Sequence, residues 1–372
     1  MSPRPRKNQI TYFNIMVVGF SGVGKTSFIR TLLETLSLEQ QLEDEIVSTK
    51  NMKRRDSFMS ENSSIIFHEQ PQGPIEKTLQ PYTISKEIIN IDAIHHKKER
   101  IMLTLIDTPG FSAEYLVDKQ LHDIIKYIEH QFDLTLAEES KVKRNPKAVD
   151  TQVHCCLYFI DPKKTELNEY DIRILRKLSK RVNIIPVIGK ADNLTLAQRN
   201  RLKPSIMRDI YTTHKIPIYG MPEEEEDDDY DNDNDNELNK KVKTNERETS
   251  LDQFLSGFNY EKEDNETKSI LDYLRIVPFT FIAYEDDPET GNPIDTHNPQ
   301  IKLGRDFGWG IIDCLNDKFS DFIKLKHILL SSHRQYLQLD TVERYYEQYR
   351  TERLMYKRAT RIGLASAATS PH

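Results

Sequence analysis

Apolar and polar positions follow two different periods along the chain, and the periods separate predicted strands from predicted helices. Apolar runs at 13–18, 153–160 and 183–189 predict strands buried on both faces of a sheet. Residues 83–94 and 99–107 predict two more strands, joined by a hairpin turn at HHKKE. Helical spacing covers about 25–36, 115–135 and 168–181. Because strands and helices alternate, we expect an α/β fold with a mainly parallel sheet and helices on both faces.

The last part of the chain, 309–356, predicts a strand and two amphipathic helices. The apolar positions that share a face are Phe322, Leu325, Leu329 and Tyr336 in the first helix, and Val342, Tyr346 and Tyr349 in the second. Asp340 and Glu343 resemble a capping box at the start of the second helix.

Two segments lack this periodicity. Residues 37–76 predict a mobile loop, and residues 222–268 predict a disordered insertion because their charge repels itself. The formal net charge of the 372 residues is -7, and removing the 11 acidic residues of the run at 223–237 leaves +4 for the rest. A metal site in this run is a weaker interpretation, because its acidic residues have no regular spacing.

Targeting and cysteine patterns narrow the class of protein. No apolar run approaches a spanning helix, and the first residues lack a hydrophobic signal core, so we expect a protein of the cytosol. The three cysteines have neither disulfide nor zinc spacing and are expected in the core. We expect no nucleic-acid partner.

GFSGVGKTS, at 19–27, fits the pattern G-x-x-x-x-G-K-[ST] between a predicted strand and a predicted helix. Such a loop turns backbone N–H groups toward phosphate, adds a lysine charge, and offers a hydroxyl to Mg²⁺. The candidate phosphate-binding residues are Gly19, Ser21, Gly22, Val23, Gly24, Lys25, Thr26 and Ser27.

Two later motifs indicate which nucleotide the loop holds. In DTPG, Asp107 is placed to hold Mg²⁺ together with Thr26, and Gly110 to reach a γ-phosphate. In GKAD, Asp192 is suited to accept hydrogen bonds from guanine N1–H and its 2-amino group, while the stem of Lys190 packs on the base. The order of the motifs predicts a P-loop NTPase of the Ras-like GTPase class that binds GTP or GDP with Mg²⁺.

The sequence resembles the septin family from about residue 10 to residue 354. The resemblance rests on these motifs and on DTQVHCCLYFI (150–160), NIIPVIGKADNLT (183–195), GRDFGWG (304–310) and YEQYRTERL (346–354). It implies a basic tail at 1–10, a septin-type GTPase domain at 11–300, a septin unique element at 301–356 and a flexible tail at 357–372. The likeness to fungal septins implies a cytoskeletal subunit of hetero-oligomers and filaments, or of a homodimer across the nucleotide face. It places such a subunit on membranes at a septin ring, a bud neck or a prospore membrane.

The same resemblance implies roles for single residues. Thr78 matches the switch threonine of septins that hydrolyse GTP, Arg305 lies against the guanine, and Ala283 stands in the base-binding loop. His154 and Trp309 match positions that reach across the nucleotide-face interface. From the residues alone, Trp309 equally fits a buried packing role and His154 a structural one, while Thr78 fits a loop hydroxyl and Arg305 a solvated turn charge.

Departures from the family pattern predict a specialised subunit with a weaker nucleotide-face interface. KKTEL at 163–167 replaces a Gly-His-Gly-Leu loop, and Gln152 replaces an arginine. Ser112, Gly308 and the pair Ala283-Tyr284 replace a glycine, a proline and Gly-Ser. Phe111 stands where Ras-like enzymes carry a water-orienting glutamine, so we expect slow hydrolysis.

Attachment to anionic membrane lipids has a modest basis in Arg4, Arg6 and Lys7, at about 1 kcal/mol each. A solvated basic tail is the alternative. Three functions stay open: a filament subunit, a monomeric signalling GTPase that recruits effectors through its switch loops, and a nucleotide kinase. The kinase is the least favoured because no lid for an acceptor substrate is visible.

Overall fold

The computed structural model describes residues 10–51, 82–91, 98–112, 114–143, 148–221, 251–287, 293–294 and 301–368. Six strands form one sheet in the order β2-β3-β1-β4-β5-β6. The strands are β1 (Ile10–Gly19), β2 (Tyr82–Ile91), β3 (Lys98–Asp107), β4 (Cys155–Ile160), β5 (Ile184–Ile188) and β6 (Phe279–Thr280). Only β2 runs antiparallel to its neighbour, which confirms the α/β prediction of a mainly parallel sheet.

The centre of the sheet is buried on both faces, as its continuous apolar strands predict. Every residue of β4 and β5 is buried, and so is β1 from Phe13 onward. Phe28, from the helix after β1, meets Phe159, Phe281 and Phe322 edge to face, with ring centroids 5.2 to 5.8 Å apart. These edge-to-face contacts are a favoured aromatic geometry, and they join the sheet to the C-terminal helices.

Helices cover both faces of the sheet. In chain order they are α1 (Lys25–Asn51), α2 (Val117–Glu139), α3 (Glu169–Leu178), α4 (Leu196–Arg208), α5 (Leu251–Ser256) and α6 (Asn265–Ile276). Capping boxes begin two of them: Asn168 accepts from the Asp171 N–H before α3, and Thr195 from the Gln198 N–H before α4. Within the described ranges, no helix is long and apolar enough to cross a membrane.

Two predicted loops contain helix. The mobile loop predicted from residue 37 is wrong up to residue 51, because α1 continues to Asn51. The disordered insertion predicted through 268 is wrong from residue 251, where α5 begins and α6 follows. Leu251, Phe254 and Leu255 pack against the core, so a short apolar face orders this end of the polar segment. The remaining parts, 52–76 and 222–250, lie outside the described residues, as do residues 92–97. Of the predicted HHKKE turn at 95–99, the first three residues fall in that gap, and Lys98 and Glu99 already belong to β3.

The C-terminal region is a small hairpin followed by helices. Here β7 (Gly304–Asp306) pairs with β8 (Ile311–Asp313). β8 confirms the strand predicted within 309–356, whereas β7 lies before that range and was not predicted. Helical structure then runs through α7 (Phe322–His327), α8 (Arg334–Asp340) and α9 (Glu347–Ala368), with wider π turns between them.

Details of the predicted C-terminal helices differ from the structure. Asp340 has helical φ and ψ and makes no side-chain cap, so the predicted capping box is wrong. Tyr346 and Tyr349 are buried against Phe132 of α2, whereas Val342 is exposed. The predicted flexible tail is helical as far as residue 368. The predicted helix start at Asp340 is wrong for a physical reason. Packing of one helix face against the rest of the protein keeps the chain helical through a position where the local sequence resembles a helix start.

Candidate functional site

The carboxyl ends of the parallel strands meet at one edge of the sheet, where ligands of such folds bind. The phosphate loop between β1 and α1 lies at this edge and needs its glycines. Gly24 has φ +101°, which L side chains rarely adopt, and a Cβ on Gly189 would lie 2.0 Å from the Val23 carbonyl oxygen. Backbone therefore packs on backbone here, which leaves the inner face of the loop free for a ligand.

Lys25 is buried at the base of this loop, with 6% of its surface exposed. Its Nζ donates hydrogen bonds to the carbonyl oxygens of Gly19 at 3.0 Å and Phe20 at 2.7 Å. Burial lowers the pKa of Lys25 to about 8, and the Asp107 charge opposes that shift. A phosphate would offer this ammonium a stronger partner than two carbonyls do.

Thr26 and Asp107 meet in the same cleft. The Thr26 hydroxyl donates to Asp107 Oδ2 at 2.6 Å, while Oδ1 of the same carboxylate is buried without a hydrogen-bond partner among the described residues. A hydroxyl and a carboxylate are hard oxygen ligands, and Mg²⁺ in nucleotide sites takes one or two of them beside phosphate oxygens. The two predicted metal ligands therefore fit Mg²⁺.

The DTPG segment is hydrogen-bonded to the phosphate loop. The Ser21 N–H donates to the Phe111 carbonyl at 3.0 Å, and the Phe111 N–H donates to the Gly19 carbonyl at 3.2 Å. A Cβ on Gly110 would lie 2.4 Å from Cα of Ser21, so only glycine fits there. The cleft between them has a volume of about 530 Å³. Thr108 and Pro109 also line it, and the sequence reasoning missed them although both stand inside the DTPG motif.

The other end of the site is built around Asp192. Lys190 takes the left-handed conformation at φ 48°, and Asp192 follows it in a tight turn with only 5% of its side chain exposed. Its Oδ1 is buried and has no hydrogen-bond partner among the residues described. Arg305 of β7 lies with its Nη2 3.8 Å from Oδ2. A buried carboxylate with a free acceptor fits a ligand that brings N–H donors.

Ala283 lies near this turn. The Ala191 N–H donates to the Phe281 carbonyl at 3.0 Å, so the segment after β6 runs beside the one that carries Asp192. The Cys314 thiol donates to the Ala283 carbonyl at 3.3 Å, and burial raises the pKa of Cys314 to about 12. The three cysteines are buried free thiols, as the sequence predicts.

The two predicted interface residues have opposite environments. Trp309 is 77% exposed and stacks on Phe307 with ring centroids 5.6 Å apart, so the packing interpretation is wrong. His154 is fully buried next to β4, at its amino end; its Nδ1 accepts from the Asn14 N–H at 3.0 Å, and its Nε2 lies 3.1 Å from Asp150. That is the opposite edge of the sheet from the phosphate loop, so the predicted contact across the nucleotide face is wrong and its structural alternative holds.

The structure thus brings together the phosphate loop, Asp107, Gly110 and the Asp192 turn, with Arg305 and Ala283 beside it. Val23 contributes backbone and is itself buried, and Ser27 lies in the first turn of α1, where it lines the cleft. Thr78 and the basic positions Arg4, Arg6 and Lys7 lie outside the described residues. Among the side chains described, no cluster of three or more His, Cys, Asp or Glu could hold a metal by itself.

Known proteins match this chain over nearly its whole length. The sequence model described as "Septin" matches residues 9–245 and 237–362. Septation protein 7 of Candida albicans is 35% identical over 92% of this chain, and Cell division control protein 11 of Saccharomyces cerevisiae is 33% identical over 92%. Septin homolog spn3 of Schizosaccharomyces pombe is 30% identical over 92%. The chain spans 48%, 66% and 72% of the lengths of these three relatives.

A solved structure shares the fold. The septin GTPase domain from Chlamydomonas reinhardtii matches with a TM-score of 0.54 at 20% identity, over 92% of this chain and 99% of that one. The similarity covers the sheet, the phosphate loop and the C-terminal hairpin and helices alike, because the family match reaches residue 362. The chain belongs to the septin family.

Proposed function

We propose that this chain is a septin subunit that binds GTP or GDP and assembles with other septin chains into complexes and filaments during cell division. One observation carries the nucleotide part of the proposal. The buried carboxylate of Asp192 has one oxygen, Oδ1, without a hydrogen-bond partner among the described residues. It lies at the same edge of the sheet as the ammonium group of Lys25. Guanine brings N1–H and a 2-amino group to that carboxylate, whereas adenine lacks this pair and would leave it unpaired at a cost of about 1–3 kcal/mol.

The residues of the phosphate end divide the remaining work. Lys25 pairs with phosphate oxygens, and the N–H groups at the start of α1 donate to them. Thr26 and Asp107 would hold Mg²⁺, which when bound neutralises phosphate charge. Arg305 and Ala283 border the base, and the stem of Lys190 covers it.

Hydrolysis by this chain is proposed to be slow. Phe111 is 1% exposed and packs edge-on against Phe20 at 5.6 Å, so its side chain neither reaches the cleft nor orients a water. Thr78 is the candidate for that task, through its backbone. The nucleotide then serves chiefly as a structural ligand, and the main function of the protein is to form polymers.

Assembly is proposed to use the surface around Trp309. This side chain is exposed between β7 and β8, on the hairpin that carries Arg305 and borders the base site. Large aromatic side chains are favoured at the centres of interfaces because they bury much area with few rotatable bonds. The partners are other septin chains, as the similarity to Cell division control protein 11 and Septation protein 7 supports. A monomeric signalling GTPase remains the alternative.

Two measurements test this proposal. Chromatography of the denatured protein identifies the nucleotide retained after purification, and we expect guanine nucleotide. Sedimentation while the salt concentration is lowered reports assembly, which we expect to weaken in Trp309→Ala. The matched control is Leu196→Ala, which removes another exposed apolar side chain, 67% exposed, at the start of α4. Adenine nucleotide would contradict the base assignment, and a wild-type chain that stays monomeric at low salt favours the signalling GTPase.

Attachment to anionic lipids is proposed through Arg4, Arg6 and Lys7. Their combined attraction of roughly 3 kcal/mol is weak for one copy, and linked copies in a filament raise the effective concentration enough to hold it. A variant with these three residues changed to alanine should lose co-sedimentation with phosphatidylserine vesicles and keep its bound nucleotide. Cytoskeletal localisation at a septin ring, bud neck or prospore membrane belongs to the same proposal.

A further inference from the structure

Asp321, just before α7, collects an unusual set of donors at a place outside the cleft. It is 3% exposed, and its Oδ2 accepts hydrogen bonds from the Thr280 N–H at 2.9 Å and the Thr280 hydroxyl at 2.6 Å. The same oxygen accepts from Arg199 at 3.0 Å and Lys203 at 2.9 Å, both on α4. Burial raises the pKa of Asp321, but Lys203 and the Thr280 donors outweigh it and hold the pKa below its usual value. Lys324 Nζ also lies 4.0 Å from the other oxygen, Oδ1, so the group is a buried carboxylate with three cations around it.

Asp321 bonds to both the backbone N–H and the backbone carbonyl of Thr280. Besides the two bonds to its carboxylate, the Asp321 N–H donates to the Thr280 carbonyl at 2.7 Å. The neighbouring Ser320 hydroxyl donates to the same carbonyl and accepts from the Ile282 N–H, each at 3.4 Å. β6 ends the sheet order, so its outer edge lacks a neighbouring strand in the described chain, and this segment takes the place of one.

The strand held in this way leads directly into the base site. After Thr280, the Phe281 N–H donates to the Ile188 carbonyl at 2.9 Å, and the Phe281 carbonyl accepts from Ala191. Ala283 follows two residues later. Asp192 comes immediately after Ala191, so a backbone hydrogen bond joins the two walls of the base site.

The two cations that bond to Asp321 Oδ2 come from the other wall. Arg199 and Lys203 lie on α4, which begins four residues after Asp192. Lys203 also donates to the Ile276 carbonyl at 2.8 Å, just before β6. Asp321 therefore binds the strand that leads to Ala283 and the helix that follows Asp192 at a single oxygen.

We propose that Asp321 is a positioning residue for base recognition: by holding Thr280 and α4 together, it sets the Asp192 carboxylate against the Ala283 wall. The inference rests on the proposed function, that the site takes a guanine nucleotide. Asp321 acts through Thr280, Arg199 and Lys203. Asp321 is buried, and Arg199 and Lys203 are largely shielded, with side chains 14% and 19% exposed. Separating the ions would leave the buried carboxylate without its partners, so the contact keeps a fixed geometry.

The test compares GDP with inosine diphosphate, which lacks only the 2-amino group, in calorimetric titrations of the full chain. In Asp321→Asn, which keeps volume but removes the charge, we expect the preference for GDP over inosine diphosphate to fall at least threefold. Thr280→Val removes only the hydroxyl donor and should lower the preference in the same direction by a smaller factor. It also tests the inference should Asp321→Asn fail to fold.

The matched control is Asp171→Asn. Asp171 is another fully buried carboxylate, which accepts from a lysine, Lys164, at 2.5 Å and a hydroxyl, Tyr158, at 2.7 Å, and it lies on α3. Its loss should leave the preference within twofold of wild type. An unchanged preference in folded Asp321→Asn and Thr280→Val, or equal weakening of both ligands, would overturn the inference while the proposed function stands. A wild-type chain without preference for GDP would overturn the proposed function first.

Discussion

The two ends of the candidate site are assembled in different ways. The phosphate end comes from one contiguous stretch, 19–27, and from Asp107–Gly110. The base end combines Asp192, Ala283 and Arg305. Ala283 follows Asp192 by roughly ninety residues, and Arg305 follows Ala283 by roughly twenty. The first end is fixed by local hydrogen bonds and glycine conformations, whereas the second depends on how β6 and the C-terminal hairpin pack. Affinity should therefore be concentrated at the first end and base selectivity at the second.

The largest effect is expected at the phosphate end. Two lysines line the described cleft, Lys25 at the phosphate end and Lys190 at the base end. Lys25→Ala removes the positive charge at the phosphate end. Charge-assisted hydrogen bonds to phosphate in a partly buried site are strong, so the dissociation constant for GDP should rise at least a hundredfold. Calorimetric titration measures it. Lys177→Ala, an exposed lysine paired with Asp118 on α2, is the control and should change nothing. A change below tenfold would mean that the two ends contribute alike.

A smaller and more selective effect is expected at the base end. Asp192→Asn exchanges one acceptor oxygen for an N–H donor, so guanine loses a partner and its donor meets another donor. At about 1–3 kcal/mol, GDP affinity should fall roughly fivefold to 150-fold. Xanthosine diphosphate, which carries a carbonyl where guanine has the amino group, should bind the variant better than it binds the wild type. Competition titrations with both nucleotides measure the exchange, and unchanged GDP preference would remove Asp192 from the base site.

The difference between the two ends also explains what the sequence could predict. The phosphate loop and DTPG are read directly, because a fixed spacing of residue types determines a local backbone shape. Thr108 and Pro109 stand within the DTPG motif, so the same spacing predicts that they line the cleft. Asp321 gives no such signal: its partners, Thr280 and α4, come close to it only through the packing of β6 and α7.

Boundaries and burial were harder to predict than elements. The strands were predicted because their apolar runs are continuous, but α1 continues past residue 36 into polar sequence that has no strong periodicity. The resemblance assigned His154 to the nucleotide face, but the match does not tell at which end of β4 the residue lies. In the structure it lies at the amino end, where it accepts a hydrogen bond from the Asn14 N–H. There its ring is held by the Asn14 backbone N–H and by the Asp150 carboxylate, which is a structural role.

The affinity for GDP should change several-fold with pH because of Lys25, which lies at the phosphate end. Below its pKa of about 8, Lys25 is charged and ready for phosphate. Above that value the free protein must take up a proton to bind, so the dissociation constant for GDP should rise roughly fivefold to tenfold between pH 7.5 and pH 9. Lys25→Arg, which stays charged throughout, should show a flat profile. A rise of equal size in that variant would assign the titration to another group.

The same group affects folding with the opposite sign. Lys25 has a pKa lower in the folded chain than its ordinary 10.5, so the unfolded chain binds more protons between about pH 8 and pH 10.5. Stability of the nucleotide-free protein should therefore gain from Lys25 as the pH rises through this window, while nucleotide affinity falls. Urea unfolding of the wild type and Lys25→Arg at pH 7.5 and pH 9 measures the difference, and equal pH dependence in both would contradict it.

The smallest effect is expected from Arg305, which borders the base end without contacting Asp192 closely. Its side chain is 33% exposed and its Nη2 is 3.8 Å from the carboxylate, so solvent and salt screen the interaction. Arg305→Ala should weaken GDP binding about twofold to fivefold, and 0.5 M KCl should reduce that difference. The control, Arg173→Ala, removes another partly exposed arginine, paired with Asp118 at 3.0 Å away from the cleft, and should leave GDP binding unchanged. If Arg305→Ala instead matched Asp192→Asn in size and resisted salt, the arginine would contact the base directly, and the base end would depend on the hairpin as strongly as on the Asp192 turn.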